Sequence, residues 1–163
     1  MLSVFQVANY FIFRSIPGSN ENITNLKLQK LLYFAQGQYL SANGLENDPL
    51  FGEEIKAWAH GPVVPQVYRR YSDYKFMEIN RVGTEEIINE IKREEELQGL
   101  DFLSHLNTVW EKYKRFNGKE LERKTHEEGP WKDIRGDLPP YISTDITIPL
   151  PQIYEHFATQ LTA

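Results

Sequence analysis

The sequence has 163 residues, 40% hydrophobic and 13% aromatic, which suffices for one packed domain over residues 1–163 and excludes a disordered chain. Its 18 basic and 23 acidic residues give a net charge of −5, which argues against a nucleic-acid-binding module, because such modules neutralise phosphates with a basic excess. The chain has no cysteine, which excludes disulfides and is typical of cytoplasmic proteins. We expect neither a signal peptide nor a membrane span, since the longest near-apolar run, residues 7–13, is far shorter than the ~20 residues required.

The first helix is predicted by the residues at its two ends. Ser3 and Gln6 have the spacing of a capping box, in which each side chain bonds to the backbone of the other residue. Pro17 and Gly18 cannot continue a helix. We therefore expect the first helix to span about residues 2–16.

The second helix is the clearest prediction, over residues 25–43 with Thr24 as its N-cap. Leucine and aromatic residues recur along it at steps of three and four, which is typical of a central core helix. Lys27 and Lys30 are expected to emerge on a flank of this helix. Tyr33 lies near them and has an apolar body with a polar tip.

The pattern changes after the second helix. Apolar and polar residues alternate over residues 48–61, which favours a strand or short hairpin that includes Trp58. We interpret Trp58 as a core residue, because large aromatic side chains are mostly buried. Gly61 and Pro62 interrupt a strand ladder, so we expect the chain to turn there before a short helix over about residues 65–71.

The second half of the chain is predicted to be mostly helical. Further helices are expected over about residues 83–97, 101–113 and 117–128, then a turn at Gly129 and Pro130, a short strand containing Ile142, Ile146 and Ile148, and a last helix after Pro151 that carries Ile153, Tyr154, Phe157 and Leu161. The fold class is therefore mainly α: a compact helical domain of about six helices with a small β-hairpin or short strands.

Motifs for catalysis or cofactor binding are missing from the sequence. It contains neither a glycine-rich phosphate loop nor a nucleophile elbow. His126 and Glu127 match the start of a zinc-protease motif, but Pro130 occupies the position of the second histidine, and proline cannot bind a metal. We predict no enzymatic activity, no metal and no cofactor.

A basic and aromatic run over residues 68–71 contains Tyr68 and Arg69. Aromatic side chains stack on bases and arginine pairs with phosphates, but tyrosine and arginine also dominate protein–protein hot spots. The acidic net charge favours a protein partner over nucleic acid.

Three blocks carry a family resemblance: residues 23–34 (ITNLKLQKLLYF), 55–68 (IKAWAHGPVVPQVY) and 125–131 (THEEGPW). In this order and spacing the chain resembles the Panacea domain, the SocA-like antitoxin family, which phage-associated proteins of unassigned role also carry. The resemblance covers nearly the whole chain and is least diagnostic over residues 74–97.

The resemblance implies a compact, mostly helical fold with a small β element. It also implies an antitoxin of a bacterial or prophage toxin–antitoxin module, which binds and neutralises a toxin encoded by a neighbouring gene. One branch of the family delivers its toxin to a Clp-type protease. The alternatives are a phage or prophage adaptor that modulates a host protein, and a DNA-binding regulator of its own operon.

A rigid helical face that covers the toxin would suffice for neutralisation and needs no catalytic residue. The residues expected to contact the partner are Lys27, Lys30, Tyr33, Tyr68, Arg69, His126 and Trp131. The residues expected to shape this surface are Trp58, Gly61, Pro62 and Pro130. The alternatives for Trp58 and Trp131 are a core residue and an exposed anchor, and the core is favoured for both, since large aromatic side chains are mostly buried.

Overall fold

The computed structural model describes residues 1–161, and of Leu161 only the backbone, so the predicted apolar contact of its side chain lies outside the described residues. The elements are α1 Val4–Arg14, α2 Asn25–Asn43, β1 Lys56–Trp58, β2 Gly61–Val63, α3 Pro65–Arg70, α4 Glu86–Gln98, α5 Leu103–Tyr113, α6 Gly118–Glu127, α7 Gly129–Arg135 and α8 Leu150–Leu161. The mainly helical fold with a small β element is confirmed.

Helix α2 lies at the centre of the molecule and packs against α1, α5, α6 and α8. Leu28, Leu31, Leu32 and Phe34 are fully buried, and Phe34 stacks on Tyr113 of α5 with ring centroids 4.3 Å apart. Helix α8 crosses at Gly37, where a Cβ atom would lie 2.2 Å from the Phe157 ring. A glycine is therefore required for this close packing.

Side-chain caps begin three of the helices as predicted. Ser3 and Gln6 form a complete capping box at α1, and Asn117 and Glu120 form another at α6. The Thr24 hydroxyl accepts a hydrogen bond from the backbone N–H of Lys27 at the start of α2. These helices begin where local backbone donors find a side-chain acceptor.

The hairpin differs from the prediction at Gly61 and Pro62. Both residues belong to β2, where Gly61 pairs with Trp58 and Pro62 with Ala57, and the turn lies at residues 59–60. The expectation that they end the ladder was wrong, because proline is tolerated on an edge strand. Pro65 begins α3 directly afterwards, as expected of a first-turn proline.

The segment after α7 and the turn at Gly129 also differ from expectation. Ile148 donates to the Ile55 carbonyl and Ala57 donates to the Ile146 carbonyl, but this pairing with β1 is too short to form a third strand. Gly129 and Pro130 form the first turn of α7 rather than a loop. Among the described residues, no helix combines the length and apolarity needed to cross a membrane.

Candidate partner-binding surface

Lys27 and Lys30 lie inside the protein, so the expectation that they emerge on a flank of α2 was wrong. The Lys30 ammonium donates to the Pro62 carbonyl at 3.0 Å, and Lys27 donates to the carbonyls of Asn20 and Lys114. Burial lowers the pKa of Lys30 to about 7 and that of Lys27 to about 8. These lysines hold the surrounding backbone and are not exposed on the surface.

Other polar residues of α2 hold β2 and α3 in place. The Val64 N–H donates to Gln29 Oε1 at 2.9 Å, and Asn25 Nδ2 donates to the Tyr68 carbonyl at 3.0 Å. Gly61 has φ +102°, and a Cβ atom there would lie 2.9 Å from Lys30 Cε. The hairpin and α3 are therefore fixed to the central helix by hydrogen bonds from its side chains to their main chain, and by a close approach at Gly61.

Tyr33 is also buried and does not reach the surface, contrary to expectation. Its hydroxyl donates to Glu128 Oε2 at 3.3 Å, and His156 Nε2 lies 3.2 Å from the same oxygen. Burial raises the pKa of Glu128 to about 7. This cluster joins α2, α7 and α8 in the interior.

Trp131 packs against the hairpin and is a buried core residue, as the favoured interpretation predicts, and this burial does not fit the alternative role of an exposed partner contact. Its indole N–H donates to the Trp58 carbonyl at 2.7 Å. His126 stacks on the Trp131 ring with centroids 3.9 Å apart and planes 8° from parallel. Among the described residues His126 Nε2 has no hydrogen-bond partner and lies 3.9 Å from Glu122 Oε1, so the stacking on Trp131 is the closest contact that holds this ring.

Exposed aromatic side chains surround a surface groove of about 650 Å³ between the hairpin, the segment after α3 and the loop before α8. Phe76 is 87% exposed, Tyr141 81% and Tyr68 39%. The half-buried Trp58 packs edge-to-face on Tyr68 with ring centroids 5.2 Å apart. We call this site the aromatic groove and define it by Trp58, Tyr68, Lys75, Phe76, Lys119 and Tyr141.

Two lysines and a histidine supply the titratable charges along the aromatic groove. Lys119 Nζ lies 3.1 Å from Glu122, and His60 Nδ1 lies 2.9 Å from the same carboxylate. Burial opposes ionisation of Glu122, but these hydrogen bonds outweigh it and lower its pKa. Lys75 is exposed and has a positive φ of 55°.

The structure brings together only part of the predicted contact set. Tyr68 lines the aromatic groove and Trp58 forms its wall, half-buried rather than in the core. Arg69 is exposed on the same helix but borders a separate depression with Glu53 and Asp145. The predicted residues therefore divide between a buried frame and an accessible rim.

Phe76, Tyr141, Lys75 and Lys119 line the groove without having been singled out as contacts. The signal for Phe76 was an adjacent apolar pair, Phe76 and Met77, in an otherwise polar stretch between helices. Tyr141 lies in an irregular segment whose position depends on tertiary packing. No periodic pattern marks either residue.

The model of the family described as antitoxin SocA-like, Panacea domain, matches residues 28–132. The chain belongs to this family. The match covers α2 from Leu28 onward, the hairpin, α3 and the start of α7, so the predicted resemblance is confirmed. Phe76 lies inside the matched range and Tyr141 outside it.

Antitoxin SocA of Caulobacter vibrioides (strain NA1000 / CB15N) is 41% identical to the chain over 81 residues. The aligned region is 50% of this chain and 37% of the length of that antitoxin. No solved structure matches the chain significantly. Within residues 1–161, no group of three or more histidine and acidic side chains is arranged to hold a metal ion.

Proposed function

We propose that the chain is a cytoplasmic, non-catalytic antitoxin that neutralises a toxin from a neighbouring gene by direct binding. Membership of the SocA-like antitoxin family supports an antitoxin role. The observation that favours direct binding is the exposed aromatic surface on a rigid frame. Phe76 and Tyr141 each expose more than four fifths of their surface, although burying such rings is favourable.

Steric blocking explains how such a surface would act. Side chains of α2 hydrogen-bond to the main chain of the hairpin and α3, so the exposed side chains of these elements are held in fixed positions. A preorganised surface loses little conformational entropy when it binds. Tyrosine, tryptophan and arginine are common binding hot spots, and we keep Tyr68 and Arg69 from the predicted contacts.

The test uses the products of the adjacent genes. A neighbouring gene product should stop growth when expressed alone, and co-expression of this chain should restore growth. The purified proteins should form a stable complex, and the chain should inhibit the toxin with no protease present. Lys30→Ala should lose both effects because it destabilises the frame that holds the hairpin, and the matched control Lys92→Ala, at an exposed lysine of α4, should keep both.

Two outcomes would contradict direct neutralisation. If no neighbouring product is toxic and rescued, the antitoxin role fails. If rescue disappears in a strain that lacks Clp-type proteases while the purified toxin stays active beside this chain, delivery for degradation replaces blocking as the mechanism.

A further inference from the structure

We propose that the aromatic groove binds an acidic segment of the partner protein that inserts at least one aromatic or large aliphatic side chain. This inference rests on the proposed antitoxin function for the identity of the partner, but its chemistry follows from the groove itself. Three features of the groove carry it: its apolar walls, the sign of its charge and the backbone at Lys75.

The walls of the groove are apolar and accessible. Trp58 and Tyr68 form one wall through their edge-to-face contact, and Phe76 faces solvent over 87% of its surface. Tyr141 closes one end and is 81% exposed. A volume of about 650 Å³ is large enough for side chains of a peptide segment rather than for a single ion.

The charges along the groove are of one sign. Lys75 and Lys119 line it, and none of the described residues that line it is a carboxylate, although the whole chain has a net charge of −5. Glu122 pairs with Lys119 and offsets its charge, and Asp145 accepts the Trp58 indole N–H at 2.9 Å. Lys75 has no ion pair among the described residues, and its positive charge favours a segment with carboxylates over a basic one.

The backbone of Lys75, at the edge of the aromatic groove, adopts an unfavourable conformation. Lys75 has φ 55° and ψ −119°, a region that glycine adopts more readily than any residue with a Cβ atom. Among the described residues, Lys75 is the only one other than glycine that has a positive φ. This conformation follows the short 3-10 turn at residues 72–74 and places Lys75 and Phe76 together on the rim. Strain of this kind is concentrated at functional sites.

The experiment selects binding peptides without any toxin. A phage-displayed library of random peptides is selected on the full chain, and enriched peptides are synthesised and titrated by fluorescence polarisation. Enriched sequences should combine Asp or Glu with an aromatic or large aliphatic residue. Their affinity should fall as salt is added, because rim charges are screened.

Two variants of the groove and two matched controls locate the binding. Lys75→Glu and Phe76→Ser should each weaken the peptide on the order of tenfold or more. Lys92→Glu and Leu97→Ser make the same changes at exposed positions of α4, and they should leave affinity within about twofold of the original. Leu97 is 80% exposed, which closely matches Phe76.

Four results would overturn the inference: no peptide is enriched, the enriched peptides are neutral or basic, the groove variants bind as well as the controls, or the groove prefers a single-stranded oligonucleotide. The growth assay separates the two proposals. If Lys75→Glu and Phe76→Ser still rescue growth fully, the antitoxin role stands and the groove is not its contact. If acidic peptides bind as expected and no neighbouring product is toxic, the groove chemistry stands and the antitoxin role fails.

Discussion

Lysine and aromatic residues occur together in two regions of the molecule and have opposite roles there. In α2, Lys30 and Tyr33 are almost fully buried and bond to the Pro62 carbonyl and to Glu128. At the groove, Lys75 and Phe76 face solvent. The same residue types therefore build the frame in one region and an accessible rim in the other. What distinguishes the regions is how many elements surround each segment.

The largest expected effect is on the free energy of unfolding when Lys30, the buried lysine of this comparison, is replaced. Lys30→Ala should lower the free energy of unfolding by about 3–5 kcal/mol, because it leaves a cavity and an unpaired Pro62 carbonyl. Urea denaturation at neutral pH measures the change. Lys92→Ala, at an exposed lysine of α4, should change it by no more than about 0.5 kcal/mol. Equal effects of both substitutions would show that Lys30 does not support the hairpin.

A smaller loss of stability is expected from a substitution at Gly61, where the hairpin contacts the buried Lys30. Gly61→Ala should cost about 2–4 kcal/mol, because φ is +102° and the new Cβ would lie 2.9 Å from both Lys30 Cε and Thr125 Oγ1. Gly99→Ala is the matched control, with φ +67° and no atom within 4 Å, and it should cost about 1 kcal/mol. Thermal unfolding followed by circular dichroism compares them. A cost at Gly61 no greater than at Gly99 would rule out the close approach.

The smallest effect concerns Glu128, the buried partner of Tyr33, and depends on pH. Burial raises the pKa of Glu128 to about 7, so the folded state holds a proton that the unfolded state releases near pH 4.5. Its contribution to stability is present at low pH and is lost as pH rises through about 7. Glu128→Gln should therefore stabilise the protein by about 1–3 kcal/mol at about pH 8 and change little at about pH 5.

The control for the pH effect is Glu96→Gln, at an exposed carboxylate of α4. It should show no such difference between the two pH values. The denaturation midpoint of each variant at both pH values provides the measurement. A Glu128→Gln variant whose stability follows the original protein at every pH would show that this carboxylate is not the group that titrates.

The sequence predicted features that depend on neighbouring residues along the chain. The starts of α1, α2 and α6 were correct because Ser3, Thr24 and Asn117 bond to backbone groups within three residues. The central position of α2 was also correct, since its apolar residues extend widely around the helix. Local chemistry decided each of these cases.

Features that depend on distant packing were missed. Lys27 and Lys30 have the sequence signature of a solvated flank, and only the positions of the Asn20, Pro62 and Lys114 carbonyls make their burial favourable. Phe76 and Tyr141 lie 65 residues apart in irregular segments, and the fold alone brings them to one groove. Helix boundaries and caps were therefore predictable, whereas the burial of the two lysines and the assembly of the aromatic groove were not.

The positions of the three tryptophans allow intrinsic fluorescence to report on the aromatic groove. Trp110 and Trp131 are 1% and 7% exposed, so collisional quenchers should barely reach them and their emission should form a constant blue-shifted background. Trp58 is half-buried in the wall of the aromatic groove, with its indole N–H on Asp145. Acrylamide should therefore quench chiefly Trp58, and an occupant of the groove should shield it. Unlabelled protein in a cuvette would thus report whether the groove is filled.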